Sequence, residues 1–179
     1  MARARPSDTR ARIQAAALDL FTEKGIQQTS LREIADRLGV TKPALYYHFA
    51  SRDDLVRSLI QPLVDDFETF ITEQEAAAPV EPRALLAAYF DVQYRHRQLM
   101  LLVIRDVSVL SSHNLGAKIH EWRNRLLTLL IGPTPSLADL TRAIVAVGGL
   151  ADCTIQLFDA PRDDLRTASV NAACAAFGI

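Results

Sequence analysis

Apolar residues recur along this chain at intervals of three and four, and no stretch alternates in the manner of a strand. Ile13, Ala16, Ala17, Leu20 and Phe21 stand on one helical face. Ser7 or Asp8 is placed to cap that helix, and Gly25, just after Lys24, to close it. Leu31, Ile34, Ala35 and Leu38 repeat the spacing in a second helix. Ser30 and Glu33 form its capping-box pair and Gly39 ends it. Thr41 caps a third helix with Pro43 in its first turn, where a missing N–H costs nothing. Ser51 and Asp54 open a fourth that runs to about Glu75. Pro62 lies inside it and leaves the Ser58 carbonyl without its usual donor, so a kink is expected. After the break at 76–82, further helices are expected near 83–99, 100–111, 115–131, 136–159 and 163–177. The chain therefore reads as all-α, with about nine helices. A three-helix N-terminal part over 1–52 precedes a helical remainder over 53–179.

Helices two and three are joined by the tight turn Gly39-Val40, the arrangement of a helix-turn-helix. This motif sets its second helix in the major groove of DNA. Lys42 at the start of the third helix can reach a phosphate or the acceptors of guanine. Pro43 and Ala44 are small enough for close approach. Tyr46 and Tyr47 are consecutive, so at least one hydroxyl must face outward. His48 and Arg52 extend the same edge. Thr29 and Ser30 lie where a helix N-terminus can hold a phosphate, and Arg32 is one turn further in. Thr41 joins this DNA-contacting set as the cap of the third helix. Arg3 and Arg5 form a basic arm ahead of the core, suited to a minor groove or simply a tail.

Charge supports this division of labour. The chain has a formal net charge of −1, but residues 1–57 hold ten Lys/Arg against seven Asp/Glu, and residues 58–179 hold ten against fourteen. The positive excess lies with the helix-turn-helix, where phosphates would sit.

The order helix, G-x-x-x-T, S-x-x-E-I-A-x-x-L-G-V, K-P-A-L-Y-Y-H-F and S-R-D-D-L resembles the TetR family of transcriptional regulators over about residues 10–60. The resemblance implies a homodimer, a palindromic double-stranded DNA operator, repression, and release by a small effector. By position it places DNA contacts on Thr29, Ser30, Arg32, Lys42, Pro43, Tyr46, Tyr47, His48 and Arg52. Ala50 departs from the lysine that often follows H-F. The remainder resembles the family only in being a helical effector-binding and dimerisation part of similar size.

In that remainder the small and apolar stripes of the last two helices suggest dimerisation. They are Leu140, Ile144, Val147, Ala151 and Ile155, then Leu165, Ala168, Ser169, Ala172, Ala173 and Ala176. Gly148-Gly149 lies inside the first of these helices. There a glycine costs about 1 kcal/mol, so close packing or a cavity is the expected compensation. An effector pocket is expected from Phe67, Phe70, Tyr89, Phe90, Tyr94, Met100, Trp122, Leu126 and Gln156. Polar His96, Arg105, Asp106, His120, Arg125 and Asp152 are placed near it. The implied effector is moderately hydrophobic, and helix four is the expected lever between it and the DNA-reading part. A DNA-binding regulator or architectural protein without a small ligand is the alternative.

No Gly-rich phosphate loop, HExxH or G-x-S-x-G occurs, and His113 and His120 are not joined to a nucleophile elbow, so catalysis is not expected. Cys153 and Cys174 have no metal-ligand spacing and read as small thiols on helices. No cofactor is expected. No apolar run reaches the roughly 18 residues of a membrane span, and the charged N-terminus lacks a signal-peptide core, so a cytoplasmic protein without membrane contact is expected.

Overall fold

A computed structural model describes residues 6–106, 108–111 and 114–179. Arg3, Arg5 and His113 lie outside the described residues. Ten helical segments, and no strand, are found among the described residues. They are α1 (Pro6–Lys24), α2 (Leu31–Leu38), α3 (Lys42–His48), α4 (Arg52–Ala76), α5 (Pro82–Arg95), α6 (Arg97–Arg105), the single turn α7 (Ser108–Ser111), α8 (Leu115–Ile131), α9 (Leu137–Gln156) and α10 (Arg162–Phe177). No helix among the described residues is long and apolar enough to cross a membrane.

The chain forms two compact units. The first joins residues 1–63 to residues 98–113; the second joins 64–97 to 114–179. The boundary expected after Arg52 falls on the first residue of α4, a continuous helix that contributes to both units.

In the first unit the periodic face of α1 is interior: Ile13, Ala17, Leu20 and Phe21 are buried with Ile34, Leu45, Phe49 and Leu55. The guanidinium of Arg10 covers the Phe49 ring at 4.4 Å and donates to the His48 carbonyl at 3.0 Å. Gly39 takes the left-handed conformation (φ 64°). Its N–H donates to Asp36 O, and the Val40 N–H donates to Ala35 O, closing α2. This closure sets the turn into α3.

Pro62 does remove a donor from α4, and the fold supplies another. Gln14 of α1 donates from Nε2 to the Ser58 carbonyl at 3.2 Å and to the Ser58 hydroxyl at 3.0 Å. A partly buried carbonyl left without a partner costs about 1–3 kcal/mol. Gln14→Ala should therefore lower stability by roughly 1–2 kcal/mol, and by clearly less in a Pro62→Ala background, where the α-helical N–H returns. Thermal unfolding of the four members of this cycle checks it, and additive effects would refute the compensation.

The expected break between 99 and 100 falls instead at His96. There Arg95 and His96 both reach Asp66 of α4, at 2.6 and 2.8 Å. No glycine or proline marks this bend, which follows from the long-range contacts. The two bonds, Arg95 first, hold the Asp66 carboxyl below the usual aspartate range. The single helix expected over 100–111 is interrupted at Asp106, whose N–H closes α6 on the Leu102 carbonyl at 2.8 Å.

In the second unit α10 packs along α9 and α5, with α8 on α9. Arg166 grips Asp91 with two nitrogens and Arg162 reaches the same carboxylate at 2.7 Å. Arg125 of α8 bridges Glu68 and Glu75 of α4, each at 2.7 Å, and Trp122 Nε1 donates to Glu68 at 2.8 Å. Arg125 lowers the pKa of both carboxyls. Their bonds thus stabilise the unit above the ordinary carboxylate range and are lost as pH falls through the depressed values.

Candidate nucleic-acid interface

Two short helices and one loop build the interface. Thr41 caps α3, its hydroxyl accepting from the Ala44 N–H at 3.4 Å. One seven-residue helix can bury only a narrow stripe. Leu45 takes that place, and the following Phe49 anchors the C-terminus. Lys42, Pro43, Tyr46 and Tyr47 are all exposed as a result. Tyr47 is 82% accessible and Tyr46 44%, so both consecutive tyrosines face outward. The Lys42 ammonium lies 5.7 Å from the Tyr46 ring centroid. His48 is half-buried and meets the edge of Tyr47.

An open groove of about 440 Å³ lies between the N-terminus of α2 and α3. Thr29, Ser30, Arg32, Lys42, Tyr46, Ser51 and Arg52 are among its lining residues. Ser30 is the N-cap of α2: its hydroxyl accepts from the Glu33 N–H, and its own N–H donates to Glu33 at 2.8 Å. That backbone bond, aided by Lys24 and the Ser30 hydroxyl, lowers the Glu33 pKa from the usual 4.5 to about 2. The capping box is therefore intact at neutral pH. It is lost only on acidification from 4.5 towards about 2. Arg32 is exposed, with Asp36 one turn on at 3.7 Å.

Two residues expected to hold phosphate are committed elsewhere. Thr29 is buried, and its hydroxyl donates to the Gly25 carbonyl at 2.9 Å, so it shapes the α1–α2 loop and offers no outward donor. Arg52 spends its guanidinium on the same loop. One nitrogen donates to the carbonyls of Ile26 and Gln27, each at 3.2 Å, and another to Gln27 Oε1 at 2.7 Å. A loop carbonyl and a phosphate oxygen attract the same donor, and in this structure the donors of both residues are turned to the α1–α2 loop. Nothing local in the sequence signals that the Gln27 side-chain oxygen accepts from Arg52 or that the Gln14 amide donates to the Ser58 carbonyl.

In the second unit Phe67, Phe70, Tyr89, Phe90, Trp122 and Leu126 are interior. Phe67 stacks on Trp122 with centroids 5.1 Å apart and meets Tyr89 edge-on at 6.5 Å. Tyr94 stacks on Phe90 and under the Arg97 guanidinium. Burial raises the Tyr89 phenol pKa. Gln156 is exposed at the end of α9, and Met100 belongs to the first unit. Arg105 and Asp106 also belong to the first unit, where Arg105 donates to the Thr22 carbonyl at 3.1 Å.

The stripes assigned to dimerisation divide. Val147, Ile155, Leu165, Ser169 and Ala173 are buried within the protomer and leave no area for a partner. Leu140, Ala151 and Ala176 are half-buried, while Ile144, Ala168 and Ala172 are exposed. The outward face of α9 instead runs through Leu137, Thr141, Val145, Gly149 and Asp152. Leu137 is 81% accessible and Val145 55%. A Cβ on Gly149 would meet nothing within 4 Å, so close packing inside the protomer does not explain that glycine. Cys153 is half-buried, Cys174 buried, and both are unlinked. Among the described residues no cluster of three or more His, Cys, Asp or Glu is placed to hold a metal ion.

A family profile for bacterial regulatory proteins of the tetR family matches residues 13–59, which take in α2, α3 and most of α1. Over these residues the chain belongs with the TetR family of transcriptional regulators. It is 31% identical over 124 residues to the HTH-type transcriptional regulator AcrR of Shigella flexneri, covering 69% of this chain and 48% of that protein. The chain thus spans about half the length of the curated relatives it matches. A transcriptional regulator from Aquifex aeolicus VF5 superposes with a TM-score of 0.69 at 24% identity, over 92% of this chain and 96% of that one. The ketosteroid transcriptional regulator KstR2 of Mycobacterium tuberculosis gives 0.72 at 19%, over 95% and 93%. At these identities the two structures speak for the fold alone.

Proposed function

We propose that this protein is a homodimeric regulator that binds a palindromic operator through α3, represses transcription by occupying the promoter, and is released by a small, mainly hydrophobic ligand. The observation that carries the reading is the outward set Lys42, Pro43, Tyr46 and Tyr47 on one short helix, beside the groove under the α2 N-terminus. A cation, two phenol hydroxyls and a close-approach proline suit phosphates and base edges together. Ser30, Thr41, Arg32 and His48 flank them. Thr29 and Arg52 line the same groove and are bonded to the α1–α2 loop.

Dimerisation is assigned to the outward face of α9 with Ala168 and Ala172 of α10. Two copies of α3 about 34 Å apart would read successive major grooves. The ligand is assigned to the second unit on the strength of its aromatic group. α4 contributes to both units, which supports it as the connecting element. The ring-to-ring packing of Phe67, Tyr89 and Trp122 favours a second reading, a DNA-binding regulator without a small ligand.

Selection of bound duplexes from random DNA tests the central claim. The recovered sites should share an inverted repeat, and log Kd should rise steeply with log salt. Recovery of no common sequence, or a flat salt response, would refute it. Thermal shifts with hydrophobic compounds, read beside operator release, separate the two ligand readings.

A further inference from the structure

The backbone of Ile26, in the loop between α1 and α2, is held from two sides by side chains distant in sequence. Its N–H donates to the Asp106 carboxylate at 3.2 Å, and its carbonyl accepts from Arg52 at 3.2 Å. The Ile26 side chain is buried, and the Thr29 N–H closes back on the same carbonyl at 3.3 Å. Arg52 also holds Gln27, and beside Asp106 the neighbouring Arg105 holds the Thr22 carbonyl at the end of α1. Gln98, at the other end of α6, donates to Asp19 at 2.8 Å. The grips of Asp106 and Arg52 fall on the segment that delivers Ser30 and the first turn of α2 to the groove. The connection from Ile26 to Ser30 is short, so the loop has little slack to absorb a shift.

We propose that Asp106 and Arg52 are positioning residues for DNA binding, which set the α1–α2 loop and through it the N-terminus of α2 without touching DNA. The inference rests on the DNA-binding reading above and adds a residue from 98–113, a segment that sequence reasoning gave to the effector part. A carboxylate so near a DNA-binding surface has one obvious alternative role, to repel phosphate. The two roles predict opposite signs. Loss of a repelling charge tightens binding, whereas loss of a positioning acceptor weakens it. Arg52 divides in the same way. As a phosphate contact it is replaceable by lysine. As a fork reaching two carbonyls and a side-chain amide oxygen it is not.

The experiment uses the full chain and a duplex selected by the wild-type protein. Asp106→Ala should raise Kd roughly tenfold, and Asp106→Asn, which keeps an acceptor for the Ile26 N–H, should stay within about twofold of wild type. Arg52→Lys should also weaken binding about tenfold, with the salt slope unchanged because no phosphate contact is lost. Exchange of the Ile26 amide should quicken in Asp106→Ala and not in Asp106→Asn, a readout that global destabilisation would move in both. Tighter binding by both Asp106 variants, or wild-type binding by the Arg52→Lys variant, overturns the positioning role. Lys42→Ala serves as the control. If it weakens binding while Asp106→Ala does not, only this inference fails; if Lys42→Ala is also silent, the DNA surface itself is misassigned.

Discussion

In the proposed dimer, Val145→Glu should give a folded monomer whose operator affinity is lower by roughly 10²–10⁴-fold, the usual worth of linking two binding modules. Val145 is more than half exposed in the protomer and shares its face with Leu137 and Gly149. A charge there meets water in the monomer and would meet an apolar partner surface in the proposed dimer. Val147, two residues on, is 1% accessible, and glutamate at that position buries a charge with no partner and should unfold the second unit. Sedimentation gives the mass of each variant and circular dichroism its helix content. A Val145→Glu protein that stays dimeric would remove α9 from the interface. Gly149 fits the same assignment: the open space above it is room in which a second backbone can approach.

Joint replacement of Lys42 and Tyr47 by alanine should weaken operator binding by roughly 100-fold, on a scale of about 1–3 kcal/mol per specific contact. The dimer and the thermal midpoint should not change, because neither side chain supports the core: Tyr47 is 82% accessible, and Lys42 contacts only the face of exposed Tyr46 among the interactions seen. Titration of the selected duplex at several salt concentrations also divides the effect. The double variant should lose about one unit of salt slope from Lys42, with the tyrosine contribution independent of salt. Wild-type affinity in this variant would move the interface off α3.

Much of this was legible in the sequence where local chemistry decides the outcome. The 3.6-residue period of α1, the Ser30–Glu33 box, the left-handed Gly39 and the Thr41–Pro43 start of α3 are each written within a few residues of where they act. What was not legible depends on partners far along the chain. Nothing local indicates that carbonyls of the α1–α2 loop take hydrogens of Arg52 and Thr29. The bend at His96 follows from Asp66, about thirty residues earlier. Which side of α9 meets its own protomer is not legible, since a helix apolar on several sides does not announce it. Ile144 and Val147 differ by less than one turn and lie on opposite sides of that decision.

The first compact unit is discontinuous, and this bears on how the protein is made. Residues 1–63 leave the ribosome together, but 98–113 follow only after the intervening 64–97 have been synthesised. At about 5–20 residues per second that interval lasts a few seconds. During it the recognition helix can already exist, yet Leu99, Leu102 and Val103 have not reached their buried places and Asp106 has not reached Ile26. The surface assigned to DNA is thus made before the last residues of its own unit and is late to be finished. A fragment cut after α4 begins would retain the motif without the residues that complete its unit.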